Sequence, residues 1–225
     1  MAINRSVDRQ AVSVAEAHLA RVSADGCTRH RHLNALLETS GINSARDLAD
    51  AVHLLCSVHG RHPSVVELAH RSSDDGAARD WLARAAEGFE RERLYLVRIT
   101  AAVGPLPSTP GAAETEATLS AQRNALEILA TSERRGCALG AAAALVGDWW
   151  SIRRVLDRAA ARAGLDAPAP ALPDEASVIA AIEAASDTPA SERALAFGGE
   201  QLLLQHRGLF DLLEARTSAR NDAEL

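Results

Sequence analysis

Between residues 113 and 163 the chain carries no proline, while the segments on either side, GPLPSTPG at 104–111 and GLDAPAPALP at 164–173, carry three each. Proline removes a backbone donor and clashes with the preceding helical turn, so these two segments are breaks and the run between them is free to be helical. The composition agrees. Hydrophobic residues make up 47% of the 225-residue chain and aromatic residues only 3%, so a core must be built mainly from Ala, Leu and Val. Alanine has the best helix propensity and loses no side-chain entropy when ordered. The expected fold class is all-α.

Seven or eight helices can be drawn. The first is expected over Val7–Val22 and the second over Thr28–Thr39. Ser44 is read as the cap of a third helix running to Val58 and stopped by Gly60. A short helix follows at Ser64–Arg71, then a long one from Asp74 to Val103, ended by Gly104. After the 164–173 linker, Asp174 caps a short helix to Ala185. Thr188, with Pro189 at the first helical position, opens a last helix to Arg216. Residues 217–225 are read as a frayed tail.

The 113–163 run is expected to break near 131–136. Leu119, Gln122, Leu126, Leu129 and Glu133 keep one helical rhythm, and Ala138, Ala142, Leu145, Trp149, Ile152 and Leu156 keep another out of phase with it. Ser132 is the expected N-cap of the second helix. The arrangement predicted is a small helical module at 1–72 beside a bundle of long antiparallel helices at 73–216, forming one compact unit.

Every basic residue is arginine, since lysine is absent; Schiff-base and P-loop lysine chemistry are excluded. The formal net charge is −6, so no basic footprint for nucleic acid is visible. Cys27, Cys56 and Cys137 form no CxxC pair, which points to a reducing compartment. No apolar run approaches the ~20 residues of a membrane span. A cytoplasmic protein is expected, with no membrane partner and nucleic acid disfavoured.

The stretch HGRHPSVVELAH at 59–70 holds three of the eight histidines. Ser64 and Glu67 have capping-box spacing, in which the serine oxygen and the glutamate satisfy each other's backbone N–H. Glu67 therefore has a structural task, and no structural metal is expected at His59, His62, Glu67 and His70. A helix-turn-helix reading of 44–88 meets an excess of carboxylates: eight against five arginines between Ser44 and Glu90, which repel phosphate.

Four polar residues fall in or beside apolar seams. Glu92 lies in the seam Leu82, Ala85, Phe89, Leu96, Ile99, and His206 lies in the seam Leu195, Gly199, Leu202, Leu209, Leu213. Gln122 occupies a seam position, and Asp148 sits beside Trp149. Inward polar groups on facing helices build sites in bundles, and an unpaired buried group is costly. If neighbouring long helices are antiparallel, Glu92 and Gln122 lie level, as do Asp148 and His206. These four are the candidate ligand-binding residues; a polar layer fixing register is the other reading. The small-residue stripe Gly136, Gly140, Ala144, Gly147, Ser151 predicts close helix packing. No catalytic nucleophile constellation and no cofactor motif is evident.

The run from GPLPSTPG through SERRGCALGAAAALVGDWW resembles uncharacterised bacterial all-helical proteins of similar length. In pattern, the C-terminal two-thirds is also similar to ferritin-like bundles, though without their paired ExxH motifs; that resemblance implies a bundle and not its ligands. The expected function is binding of a small molecule or protein partner without catalysis, with self-association as a dimer. The alternatives are a degenerate metal-binding bundle enzyme and a DNA-binding regulator.

Overall fold

The computed structural model describes residues 12–38, 40–73 and 76–223. Among them are nine α-helices, one 3-10 turn and no strand. The helices are α1 Val14–Asp25, α2 Arg31–Glu38, α3 Ile42–His59, α4 Val65–Arg71, α5 Gly76–Ala102, α6 Ala112–Ala130, α7 Cys137–Arg162, α8 Glu175–Ala185 and α9 Pro189–Asp222, with the 3-10 turn at Cys27–Arg29 between α1 and α2. The all-α bundle is as expected.

Several boundaries move, each for a local reason. Helix α1 starts after Ser13, whose side chain forms a capping box with Glu16, so Val12 and Ser13 precede the helix; residues 7–11 of the expected helix lie outside the described ones. The expected Thr28–Thr39 helix splits into the 3-10 turn and α2, and Thr39 also lies outside. Helix α3 begins at Ile42 with Gly41, not Ser44, as its N-cap. The 113–163 run does break at 131–136, but Gly136 at φ 93° is the N-cap of α7. Ser132 instead accepts from the Arg134 N–H within the turn. The capping reading holds for Ser64 with Glu67, for Asp174, and for Thr188 with Pro189 at the helix start. Helix α9 runs on to Asp222, so residues 217–222 are helical where a frayed tail was expected.

The directions of the long helices differ from a simple up-down order. Gly136 lies against Ser191, Gly140 against Leu195 and Asp148 against His206, so α7 and α9 run parallel. Phe89 lies against Trp149 and Tyr95 against Asp157, so α5 and α7 are parallel too. Helix α3 opposes α5 and α9, since His53 meets Gly104, Gly60 meets Arg93 and Asp50 meets Arg216. Helix α6 opposes α9, with Gln122 at Gln205 and Thr115 at Arg216.

A parallel pair needs a return path, and the 164–173 segment with α8 supplies it. The strap descends along α5: Arg98 donates to the Asp166 carbonyl, the Ala171 N–H donates to Glu92, and Trp81 Nε1 donates to Ser177. Helix α7 is the centre of the fold, buried along most of its length. The small-residue stripe explains how α9 comes so close. A Cβ on Gly140 would overlap the Leu195 carbonyl, and one on Gly198 would overlap the Cys137 carbonyl. Apolar side chains from α1 through α9 form one cluster, including Leu33, Leu55, Phe89, Trp149, Ile182 and Phe210. Val155 is buried in it, whereas Trp150 stays 43% exposed.

Candidate functional site

The close α7–α9 contact brings Asp148 and His206 together. His206 Nδ1 lies 2.8 Å from Asp148 Oδ2, and each residue is 1% exposed. The other carboxylate oxygen accepts the Cys27 N–H at 2.7 Å, so a side chain from α7 caps the 3-10 turn between α1 and α2. Gly26 makes this approach possible, because a Cβ there would stand 2.5 Å from Asp148 Oδ1. Burial pushes the Asp148 carboxyl up, but the hydrogen bonds and charge of His206 and the Cys27 bonds outweigh it and hold the group below its ordinary range. Burial, then the Asp148 charge beside it, pushes the Cys27 thiol well up. One donor atom each from Cys27, Asp148 and His206 lies within 4.8 Å of the others.

On the other side of His206 stands His59, at the end of α3. The two rings are perpendicular with centroids 5.1 Å apart, and Trp149 and Phe89 complete the box around His59 at 5.4 and 6.3 Å. His59 is 4% exposed. Burial, then the neighbouring His206 charge, pushes its pKa well down. Among the described residues, neither His59 Nε2 nor His206 Nε2 has a hydrogen-bond partner.

Glu92 and Gln122 do not join this group or each other, because α3 lies between α5 and α6. Glu92 accepts Arg153 Nη1 at 2.6 and 2.8 Å and Trp149 Nε1 at 3.1 Å. Arg153 also donates to Asp157 at 2.7 Å and to the Pro168 carbonyl, so the pair anchors the strap to α5 and α7. Gln122 Nε2 donates to the Gln205 carbonyl of α9 at 3.1 Å, a helix-to-helix tie opposite Gly208.

A second buried charge cluster was not anticipated. Asp50, fully buried, accepts from Arg216 at 2.7–3.1 Å and from Arg220 at 2.5 Å. Arg220 also reaches Asp47 at 2.7 Å, and both arginines donate to Thr109 of the 104–111 loop. The signal was present in α9: Arg216 and Arg220 continue the helical spacing of Leu209 and Leu213. Arg153 lay one step beyond the seam residue Ile152, with no local mark of its partner 61 positions away.

At the 59–70 corner, Ser64 and Glu67 form the expected capping box, with Glu67 Oε2 2.8 Å from the Ser64 N–H. The same oxygen stands 3.2 Å from His62 Nδ1. His62, Glu67 and Glu90 also bring donor atoms within 4.8 Å of one another, but Glu90 is held in a two-bond pair by Arg93.

Two hollows flank the α3–α6 contact. One, of about 170 Å³, lies at the corner and includes His59, Phe89, Leu126, Arg61 and Arg123 in its lining. The other, of about 280 Å³, lies under the 104–111 loop and includes Ser108, Thr109, Ser57, Glu116 and Arg216. Arg123 bridges them, donating to Ser57 Oγ and Glu116 Oε1, each at 2.9 Å.

No helix among the described residues is long and apolar enough to cross a membrane. No curated protein and no solved structure matches the chain. Residues 22–221, which hold every charged cluster described above, match a family of unknown function, DUF6975, and the chain belongs to that family.

Proposed function

We propose that the protein binds a small organic anion, without chemistry of its own, in the corner hollow between α3, α4, α5 and α6. Arg123 carries this reading. Its side chain is 14% exposed and lines the corner hollow, while its carboxylate partner Glu116 is 65% exposed on the other side, so that ion pair is screened by solvent and an anion in the corner hollow competes with it for the guanidinium. Apolar groups from Val58, Leu68, Phe89 and Leu126 with a few polar ones are the usual lining of a small-ligand site. His59 closes the inner wall, backed by His206 and Asp148. The Ser64 hydroxyl accepts the Glu67 N–H in the capping box, which leaves it poorly placed as a nucleophile.

The reading places the protein in the cytoplasm, consistent with the free thiols of Cys27, Cys56 and Cys137, and has two copies pairing through a surface that includes Trp150. Thermal shift against a panel of small carboxylates and phosphates, with native mass spectrometry of the purified protein, tests the ligand. A 1:1 adduct that raises Tm in the wild type and is lost in Arg123→Met is expected. No shift from any panel member and no adduct would remove the proposal.

A further inference from the structure

We propose that Cys27, Asp148 and His206 form a zinc site linking the 3-10 turn to α7 and α9. The three residues come from three separate elements and are all buried, and one donor atom from each lies within 4.8 Å of the others. Small side-chain movements would bring the three donors around a single ion at the ~2.0–2.3 Å bond lengths of zinc to nitrogen, oxygen and sulfur, with the ion replacing the direct His206–Asp148 hydrogen bond. Thiolate, imidazole and carboxylate are zinc ligands as a set.

Charge supports the same assignment. A divalent ion balances one thiolate and one carboxylate, leaving a neutral cluster in a region that tolerates net charge poorly. A bound divalent cation deprotonates a coordinating thiol outright. Binding therefore releases the Cys27 proton to solvent. His206 faces Asp148 through Nδ1; ligation at Nδ1 shifts its ring proton to Nε2, on a ring that packs perpendicular to His59 at 5.1 Å between centroids. Three protein donors leave a fourth position for water.

This group is distinct from the partly exposed His62–Glu67–Glu90 cluster, where Glu67 is committed to the capping box and Glu90 to Arg93. It is also distinct from the anion hollow, so either proposal can fail alone.

The test uses full-length protein made without affinity-tag metal, stripped with chelator, then exposed to Zn²⁺ or Co²⁺ alone. Elemental analysis after gel filtration is expected to give one ion per chain. The Co²⁺ form is expected to show a thiolate-to-metal charge-transfer band, kept in Cys56→Ser and Cys137→Ser and lost in Cys27→Ser. His206→Gln and Asp148→Asn are expected to weaken Zn²⁺ uptake at least tenfold, with circular dichroism checking that each variant is folded. Folded wild-type protein that retains no metal overturns the proposal, whatever the variants do. Retention without a charge-transfer band, or a band that survives in Cys27→Ser, places the ion elsewhere and overturns it equally.

Discussion

Arg153 and Glu92 face each other across the parallel α5–α7 contact, Nη1 to Oε1 at 2.6 Å, with side chains 4% and 2% exposed. Arg153→Ala strands the Glu92 carboxylate in the core and is expected to cost about 3–5 kcal/mol. Glu92→Ala leaves Arg153 with Asp157 and the Pro168 carbonyl and is expected to cost less. Glu92→Leu with Arg153→Met is expected to recover most of the Arg153→Ala loss. Urea unfolding of the four proteins measures this; equal losses in the single and double variants would contradict it.

The Asp148–His206 pair gives a second cycle, measured in chelator so that metal plays no part. His206→Leu leaves the Asp148 carboxylate with one of its two donors. Coupling of about 1–3 kcal/mol is expected, so His206→Leu is better tolerated when Asp148 is already Asn. Additive losses would show that the two side chains act independently.

Arg220 makes the last turns of α9 part of the fold. Truncation after Arg216 removes a donor to Asp47, Asp50 and Thr109 and is expected to cost about 3 kcal/mol or more. Arg220→Ala is expected to reproduce most of this loss. A truncated protein as stable as the full chain would return residues 217–222 to the status of a dispensable tail.

His18 sets a pH dependence. It is 6% exposed, and burial, then the charge of Arg21, pushes its pKa down to about 4. Its folded value lies below its unfolded one, so protons favour the unfolded chain. The contribution is complete above pH 6.5 and is lost as pH falls from 6.5 to about 4, amounting to about 3 kcal/mol at most. Stability–pH curves for wild type and His18→Leu are expected to diverge over that window, with the variant flatter; parallel curves would exclude His18 as the source.

Trp150 is half-exposed on the largely buried α7, and the pairing proposed above uses it. Light scattering at micromolar concentration is expected to give a dimer mass that Trp150→Glu reduces to a monomer. A monomeric wild type would remove the pairing.

Local signals fixed much of the fold. The prolines of 104–111 and 164–173, the capping box at Ser64, Thr188 with Pro189 and the phase change near 131–136 act over a few residues, and each marks a real boundary. Seam periodicity likewise found the buried Glu92, Gln122 and His206, because a helix that buries one stripe buries whatever sits in it; Asp148, one step off the seam, is buried because α7 is packed on most sides. The sequence did not reveal how the helices are paired. Parallel packing of α5, α7 and α9 depends on where the strap and α8 lie, and no short window of sequence encodes the path of a connection. Tertiary structure therefore chose the partners: Arg153 for Glu92, the Gln205 carbonyl for Gln122, and Cys27 and His206 for Asp148. Cys27 was a lone thiol in sequence and His59 a corner residue. They reach the Asp148–His206 pair because Gly140 and Gly198 draw α7 and α9 together, Gly26 lets the 3-10 turn approach Asp148, and α3 ends with His59 beside His206.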